Sequence, residues 1–177
     1  HINSEDLSLN VDDFVMNPDS VAAKITKGTV KEKSGLQIDA LQGDILYASN
    51  QTYLRNLYIK TPGSEIQRNA ELRYASFDAL TNDFAKTVFN LNITGTRLQV
   101  KDILLFAPQL RNNAALRNPN DTWYVNIVGN GTLNQLNFQK LQFNGLRNTQ
   151  LDANGTLTGL MNPKEAGGNF RINRFHT

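Results

Sequence analysis

Phe89-Asn90-Leu91-Asn92-Ile93-Thr94 is the stretch that decides the fold class. Its apolar side chains fall on every second residue, and only an extended strand sends successive side chains to opposite faces. One face of such a strand is dry and the other carries Asn and Thr. Val125 and Ile127 alternate with Asn126 in the same way, Leu36 and Ile38 with Gln37 and Asp39, and Leu57 and Ile59 with Tyr58 and Lys60. From about Val21 to the end, turn residues rather than helical stretches interrupt the alternation. The expected fold is all-β: one long, curved, strongly twisted antiparallel sheet with a dry and a wet face.

The composition fits that pattern. Of 177 residues, 40% are apolar and only 19% charged, so Asn, Gln and Thr supply much of the polarity. Thr tolerates strands and Asn serves turns. The 18 basic and 16 acidic residues give a net charge of +2 and lie scattered, without a run of one sign, which argues against a nucleic-acid grip. Absence of Cys excludes a disulfide scaffold and leaves the compartment open. No stretch approaches the roughly 20 apolar residues of a membrane-spanning helix, and no signal peptide is recognisable. Residues 1–177 read as a single all-β unit. His1 stands in mid-pattern and Thr177 beside a strand-like stretch, so the chain is expected to be a piece of a longer protein.

Gly-Thr followed by an apolar residue recurs at Gly28-Thr29-Val30, Gly131-Thr132-Leu133 and Gly155-Thr156-Leu157, with a looser copy at Gly95-Thr96-Arg97-Leu98. Glycine inside a strand permits a bulge or a sharp bend, so these copies are expected to mark places where the sheet curves. One segment breaks the period. Asp102-Ile-Leu-Leu-Phe-Ala-Pro108 predicts a short helix over 102–107, with Asp102 as its N-cap and Pro108 as its stop. The Asn-rich span from Leu110 to Thr122 reads as a loop.

Residues for catalysis are scarce. The two histidines, His1 and His176, lie at or next to the termini, so neither a catalytic triad nor the usual zinc sites have a place. Asp12 with Asp13, and Asp39 with Asp44, read as solvated or turn acids, with Gly43-Asp44 as a turn. No metal or cofactor is expected. Asn-x-Thr triplets at Asn50, Asn92, Asn120, Asn130 and Asn154 follow from a composition rich in both residues. Trp123-Tyr124 reads as an aromatic anchor at the start of a strand, with sugar stacking as the other role open to it.

Leu36-Gln-Ile-Asp-Ala-Leu-Gln-Gly-Asp-Ile45, followed by Tyr53-Leu-Arg-Asn-Leu-Tyr-Ile-Lys-Thr-Pro-Gly-Ser-Glu-Ile66, resembles the paired strands of TamB-like members of the AsmA superfamily. Val100-Lys-Asp-Ile-Leu-Leu-Phe-Ala-Pro-Gln-Leu110 is similar to the short segment that interrupts them, especially in Bacteroidetes-like envelopes. Asn126-Ile-Val-Gly-Asn-Gly-Thr-Leu133 through Thr149-Gln-Leu-Asp-Ala-Asn-Gly-Thr-Leu-Thr-Gly-Leu160 resembles the tail of those proteins. The likeness covers most of the chain from Leu36 onward, and each motif is degenerate. It implies a periplasmic segment of an inner-membrane-anchored protein in a Gram-negative envelope, its sheet bent into a U-shaped β-taco. The implied function is to carry phospholipid towards the outer membrane, to assist assembly of outer-membrane β-barrels, or both. The implied partners are acyl chains and an outer-membrane barrel protein, the latter bound through regions outside this chain.

Alternation nominates the lining of such a groove: Leu36, Ile38, Leu57, Ile59, Phe89, Leu91, Ile93, Val125, Ile127, Leu133, Phe138, Phe143, Leu151 and Leu157. About ten strands at about 4.8 Å each make a face on the order of 50 Å long. A β-sandwich module that binds a partner in the manner of an adhesin, or binds carbohydrate, has the same periodicity, because its dry faces meet across a closed core. An enzyme on a β-scaffold needs paired acids in a cleft.

Overall fold

A computed structural model describes residues 4–32, 35–106, 108–132, 134–159, 164 and 166–177. In it, alternation becomes ten strands: β1 (Ser4–Asn17), β2 (Ser20–Glu32), β3 (Gln37–Ala48), β4 (Gln51–Lys60), β5 (Glu65–Arg73), β6 (Val88–Gln99), β7 (Thr122–Thr132), β8 (Gln135–Gly145), β9 (Thr149–Thr158) and β10 (Gly167–His176). They form one sheet in sequence order, every neighbouring pair antiparallel. The all-β class and the single large antiparallel sheet thus stand. The strands hydrogen-bond in one continuous order rather than in two separate sheets.

Among the described residues two connections carry helices, at opposite ends of the sheet. Between β5 and β6 lie α1 (Phe77–Asn82) and a 3₁₀ turn at Phe84–Lys86; Ser76 caps α1 by accepting the Ala79 N–H. Between β6 and β7 lie α2 (Val100–Phe106) and 3₁₀ turns at Pro108–Asn112 and Ala114–Leu116, so the span read as a loop is partly helical. The expected helix is there but starts two residues early. Asp102 lies inside it and is no N-cap: its carboxylate accepts hydrogen bonds from Thr61 Oγ1 and Ser64 Oγ, both at 2.6 Å. Ser64 Oγ in turn accepts the Gln99 N–H at 2.9 Å, so α2 is clasped to the β4–β5 turn.

The alternation slips once in the middle of every even-numbered strand. Between two inward-matched residues the even strand has two residues where the following odd strand has one: 26 and 27 against Gln42, 55 and 56 against Asn69, 94 and 95 against Asn126, and 139 and 140 against Asn154. Strand β10 slips against β9 at Asn173. Such bulges bend a strand and increase its twist, so their alignment gives the sheet a line along which to curve. Two of the opposing amides hold their bulge directly. Asn69 Oδ1 accepts the Asn56 N–H at 2.7 Å, and Asn126 Oδ1 accepts the Gly95 N–H at 2.6 Å. At φ +70°, Gly95 adopts the left-handed conformation that a glycine tolerates best.

Of the Gly-Thr copies, Gly95 alone sits in such a bulge. Gly131 and Gly155 lie in regular register on the dry face, opposite Phe89 and Phe138. A Cβ on Gly155 would lie 2.2 Å from the Asn169 carbonyl oxygen and 2.9 Å from the Phe170 ring, so this glycine makes room for a neighbouring strand and its aromatic side chain. Nor is Gly43-Asp44 a turn; both residues lie inside β3, with Gly43 beside the β4 bulge.

Candidate functional site

Pairing register shows which side chains share a face, because directly opposed residues in a ladder point the same way. One row runs Phe175, Leu151, Phe143, Val125. A second runs Ile172, Ala153, Leu141, Ile127, Ile93 and reaches Leu57 across Arg68, the one charged residue in these rows. A third runs Phe170, Gly155, Phe138, Gly129, Leu91, Ala70, Leu54, Ile45, Ala23. The rows are parallel and almost wholly apolar. Together they make one dry face across the whole sheet.

Twelve of the nominated residues take their places on it by pairing: Ile38 opposite Val30, Leu57, Ile59 opposite Leu41, Phe89 opposite Leu72, Leu91, Ile93, Val125, Ile127, Phe138, Phe143, Leu151, and Leu157 opposite Leu136. Leu36 precedes β3 and accepts the Glu32 N–H through its backbone carbonyl. Leu133 lies outside the described residues. All thirteen described candidates are half-buried, neither enclosed nor free. Sequence reasoning missed the contribution of β1, where Leu7 pairs with Val30, Leu9 with Gly28 and Val11 with Ile25. It also passed over Leu41, Leu54, Leu141, Phe170 and Ile172, which stand beside or beyond a bulge.

Burial shows what this face is not. Among the described residues the buried apolar side chains are Tyr74, Val100, Leu116, Leu136 and Ala153, and only the last two belong to the face. The others sit at the sheet ends, where the helical connections pack. At one end Phe77 of α1 stacks on Tyr47 at 4.7 Å and Phe84 meets Phe89 edge-on at 5.6 Å. Tyr74 there donates to the Ala48 carbonyl at 2.7 Å and accepts from Thr52. At the edges the face is bare: Leu7 is 61% exposed, Met16 70%, Ile172 60% and Phe175 63%. Among the described residues no second layer of secondary structure covers this apolar surface.

The opposite face is polar and internally bonded. From the Gly95 N–H a chain of hydrogen bonds crosses five strands: Asn126 accepts it and donates to Gln142 at 3.1 Å, Gln142 donates to Asp152 at 2.7 Å, and Asn173 donates to the other Asp152 oxygen at 2.9 Å. The amide donors of Asn173 and Gln142 hold the Asp152 carboxyl below its ordinary value, aided by the charges of Lys140 and Arg174. The surface hollows along this face, such as the one lined by Tyr124, Asn126, Gln142, Asp152 and Arg174, are shallow and open. Trp123 and Tyr124 are split between the faces: Trp123 packs edge-on against Phe143 at 5.5 Å, while Tyr124 is 53% exposed. Among the described residues no three His, Cys, Asp or Glu side chains gather as metal ligands would, and no helix is long and apolar enough to cross a membrane.

No family model, no curated protein and no solved structure matches this chain.

Proposed function

We propose that the chain is a non-catalytic segment whose apolar sheet face seats the acyl chains of phospholipid. In the setting that the TamB-like resemblance implies, it is part of a periplasmic protein that carries lipid towards the outer membrane or assists barrel assembly there. The observation that supports this most is the almost wholly apolar face, half-buried along most of its length and bare at both edges. Each methylene that leaves water for such a surface contributes about 0.8 kcal/mol, so several carbons of a lipid tail bind without any specific polar contact. Headgroups remain in water. Ten strands at about 4.8 Å give a path on the order of 48 Å, longer than one extended chain and open to sliding.

Native mass spectrometry of protein purified without detergent tests the reading. Retained phospholipid, lost on apolar-to-acid substitution of the face, is the expected result; a lipid-free protein that also fails to take up lipid from vesicles contradicts it. A second reading, carbohydrate binding, rests on the exposed Tyr124 beside the hollow of Asn126, Gln142, Asp152 and Arg174. Against it, three of those four polar side chains already bond to one another.

A further inference from the structure

The two ends of the sheet differ in charge. Among the described residues, the connections at the α2 end carry Lys101, Arg111, Arg117 and Arg147 against Asp102 and Asp121, and the Asp102 carboxylate is already taken up by Thr61 and Ser64. The connections at the opposite end carry Asp19, Asp78 and Asp83 against Lys86 and Lys164, with Lys86 paired to Asp83. One end is basic and the other acidic.

At the basic end the helical connection and the β8–β9 turn border a hollow of about 480 Å³, whose lining includes Arg117, Asn118, Asp121, Leu146 and Arg147. Arg117 and Arg147 reach it from different elements; both are exposed, and neither has an ion-pair partner among the described residues. Asp121 is the one acid in the lining, so two cations stand against a single anion. The turn that supplies Arg147 is strained: Leu146 and Arg147 have left-handed backbones, at φ +49° and +73°, where Asn and Gly are the usual residues. Asn144-Gly145 stands too early to serve the turn, because Gly145 is needed beside Trp123, where a Cβ would lie 2.5 Å from the indole Cδ1. Trp123, which pairs with Leu98, and Gly145 end the dry face on β7 and β8, and the hollow begins within two residues of each.

An apolar surface that leads into a cationic hollow has the polarity of an anionic lipid. We propose that this hollow seats the phosphate of a phospholipid whose tails lie along the strands of the dry face, an inference that rests on the acyl-chain reading above. Guanidinium groups present forked N–H donors that match phosphate oxygens, and the open hollow leaves the head its water. A tail about 15 Å long, half of the roughly 30 Å hydrocarbon core of a bilayer, covers about five strand residues at about 3.4 Å each. On β7 that is the run from Trp123 to Ile127, so the tail reaches the line of bulges while the head stays at the basic end.

Uptake of two lipids that share their tails and differ in the head tests the proposal. The intact chain is incubated with vesicles of digalactosyldiacylglycerol, a phosphate-free carrier, holding a trace of labelled phosphatidylglycerol or labelled diacylglycerol, and is then recovered and counted. The parent is expected to take up phosphatidylglycerol at least several-fold better than diacylglycerol. R117Q/R147Q is expected to lower phosphatidylglycerol uptake to the diacylglycerol level with diacylglycerol uptake and circular dichroism unchanged, and D121N is expected to raise phosphatidylglycerol uptake. K27Q/K31Q, which removes two exposed cations from β2, is expected to keep the parent's preference. Equal uptake of both lipids by the parent, a preference that survives R117Q/R147Q, or its equal loss in K27Q/K31Q overturns the phosphate site and leaves the acyl-chain reading standing; uptake of neither lipid overturns both. Glycerol phosphate, which offers the phosphate without tails, is expected not to displace the lipid, and displacement by it assigns the hollow to a free phosphate ester instead.

Discussion

Replacing Ile127 with Asp separates an open face from a closed core. Ile127 stands in mid-sheet between Ile93 and Leu141 and is half-buried. Fully burying an isoleucine side chain is worth about 1.5–3 kcal/mol, so losing most of that burial removes about 2 kcal/mol. On an open face the new carboxylate keeps its water, and the loss ends there. That corresponds to a fall in Tm of about 4–8 °C for a chain of this size. In a closed core the carboxylate is stripped of water as well, which adds several kcal/mol more and takes the total beyond about 5 kcal/mol. Urea unfolding followed by circular dichroism measures the difference, with phospholipid retention measured on the same sample. A cooperative fold weakened by about 2 kcal/mol, with lipid lost, is expected. Collapse of the fold refutes the open face, and a folded variant that carries as much lipid as the parent refutes the groove assignment for Ile127.

Three further outcomes follow from particular contacts. D102A leaves the buried Thr61 and Ser64 hydroxyls without their acceptor; hydrogen bonds to a charged group contribute about 1.5–3 kcal/mol each, and a loss of about 3 kcal/mol is expected in urea unfolding, with D102N losing less. G95A meets open space and pays only for its positive φ, about 1 kcal/mol, whereas G155A drives a methyl into the Asn169 carbonyl oxygen and is expected to lose at least twice as much. Because the Asp152 carboxyl is held below its unfolded value, its contribution is complete above that value and fades as pH falls through the lowered one. Acid unfolding of D152N is therefore expected to show a shallower loss of stability below about pH 4 than that of the parent.

Strands and faces were legible in the sequence wherever alternation ran unbroken, as in Phe89-Asn-Leu-Asn-Ile93. It failed where the phase slips. Strand β1 alternates as Leu7, Leu9, Val11 and then resumes only after Asp13, whose φ of +50° marks the irregularity; the adjacent acids Asp12 and Asp13 looked like solvated surface. Ile25 and Gly28, or Leu54 and Leu57, are three apart rather than two, and that slip was the available signal for a bulge. Glycine was the poorer one. Gly95 serves a bulge and Gly155 serves an aromatic neighbour, and no local pattern distinguishes the two roles. The Asp102 clasp joins residues about forty positions apart, so an acid before an apolar run read as a cap. The amides opposite the bulges emerge only once the strands are in register.

Photo-crosslinking tests the central claim most directly, because it reports both the face and the ligand. A benzoylphenylalanine placed at Leu91 or Ile127 looks out from the apolar face, and one at Asn92 or Asn126 from the polar one. With phospholipid vesicles, irradiation is expected to give lipid adducts at Leu91 and Ile127 and none at Asn92 and Asn126, repeating the two-residue period of the strand. Equal labelling of both faces, or no lipid adduct at either apolar position, contradicts the account.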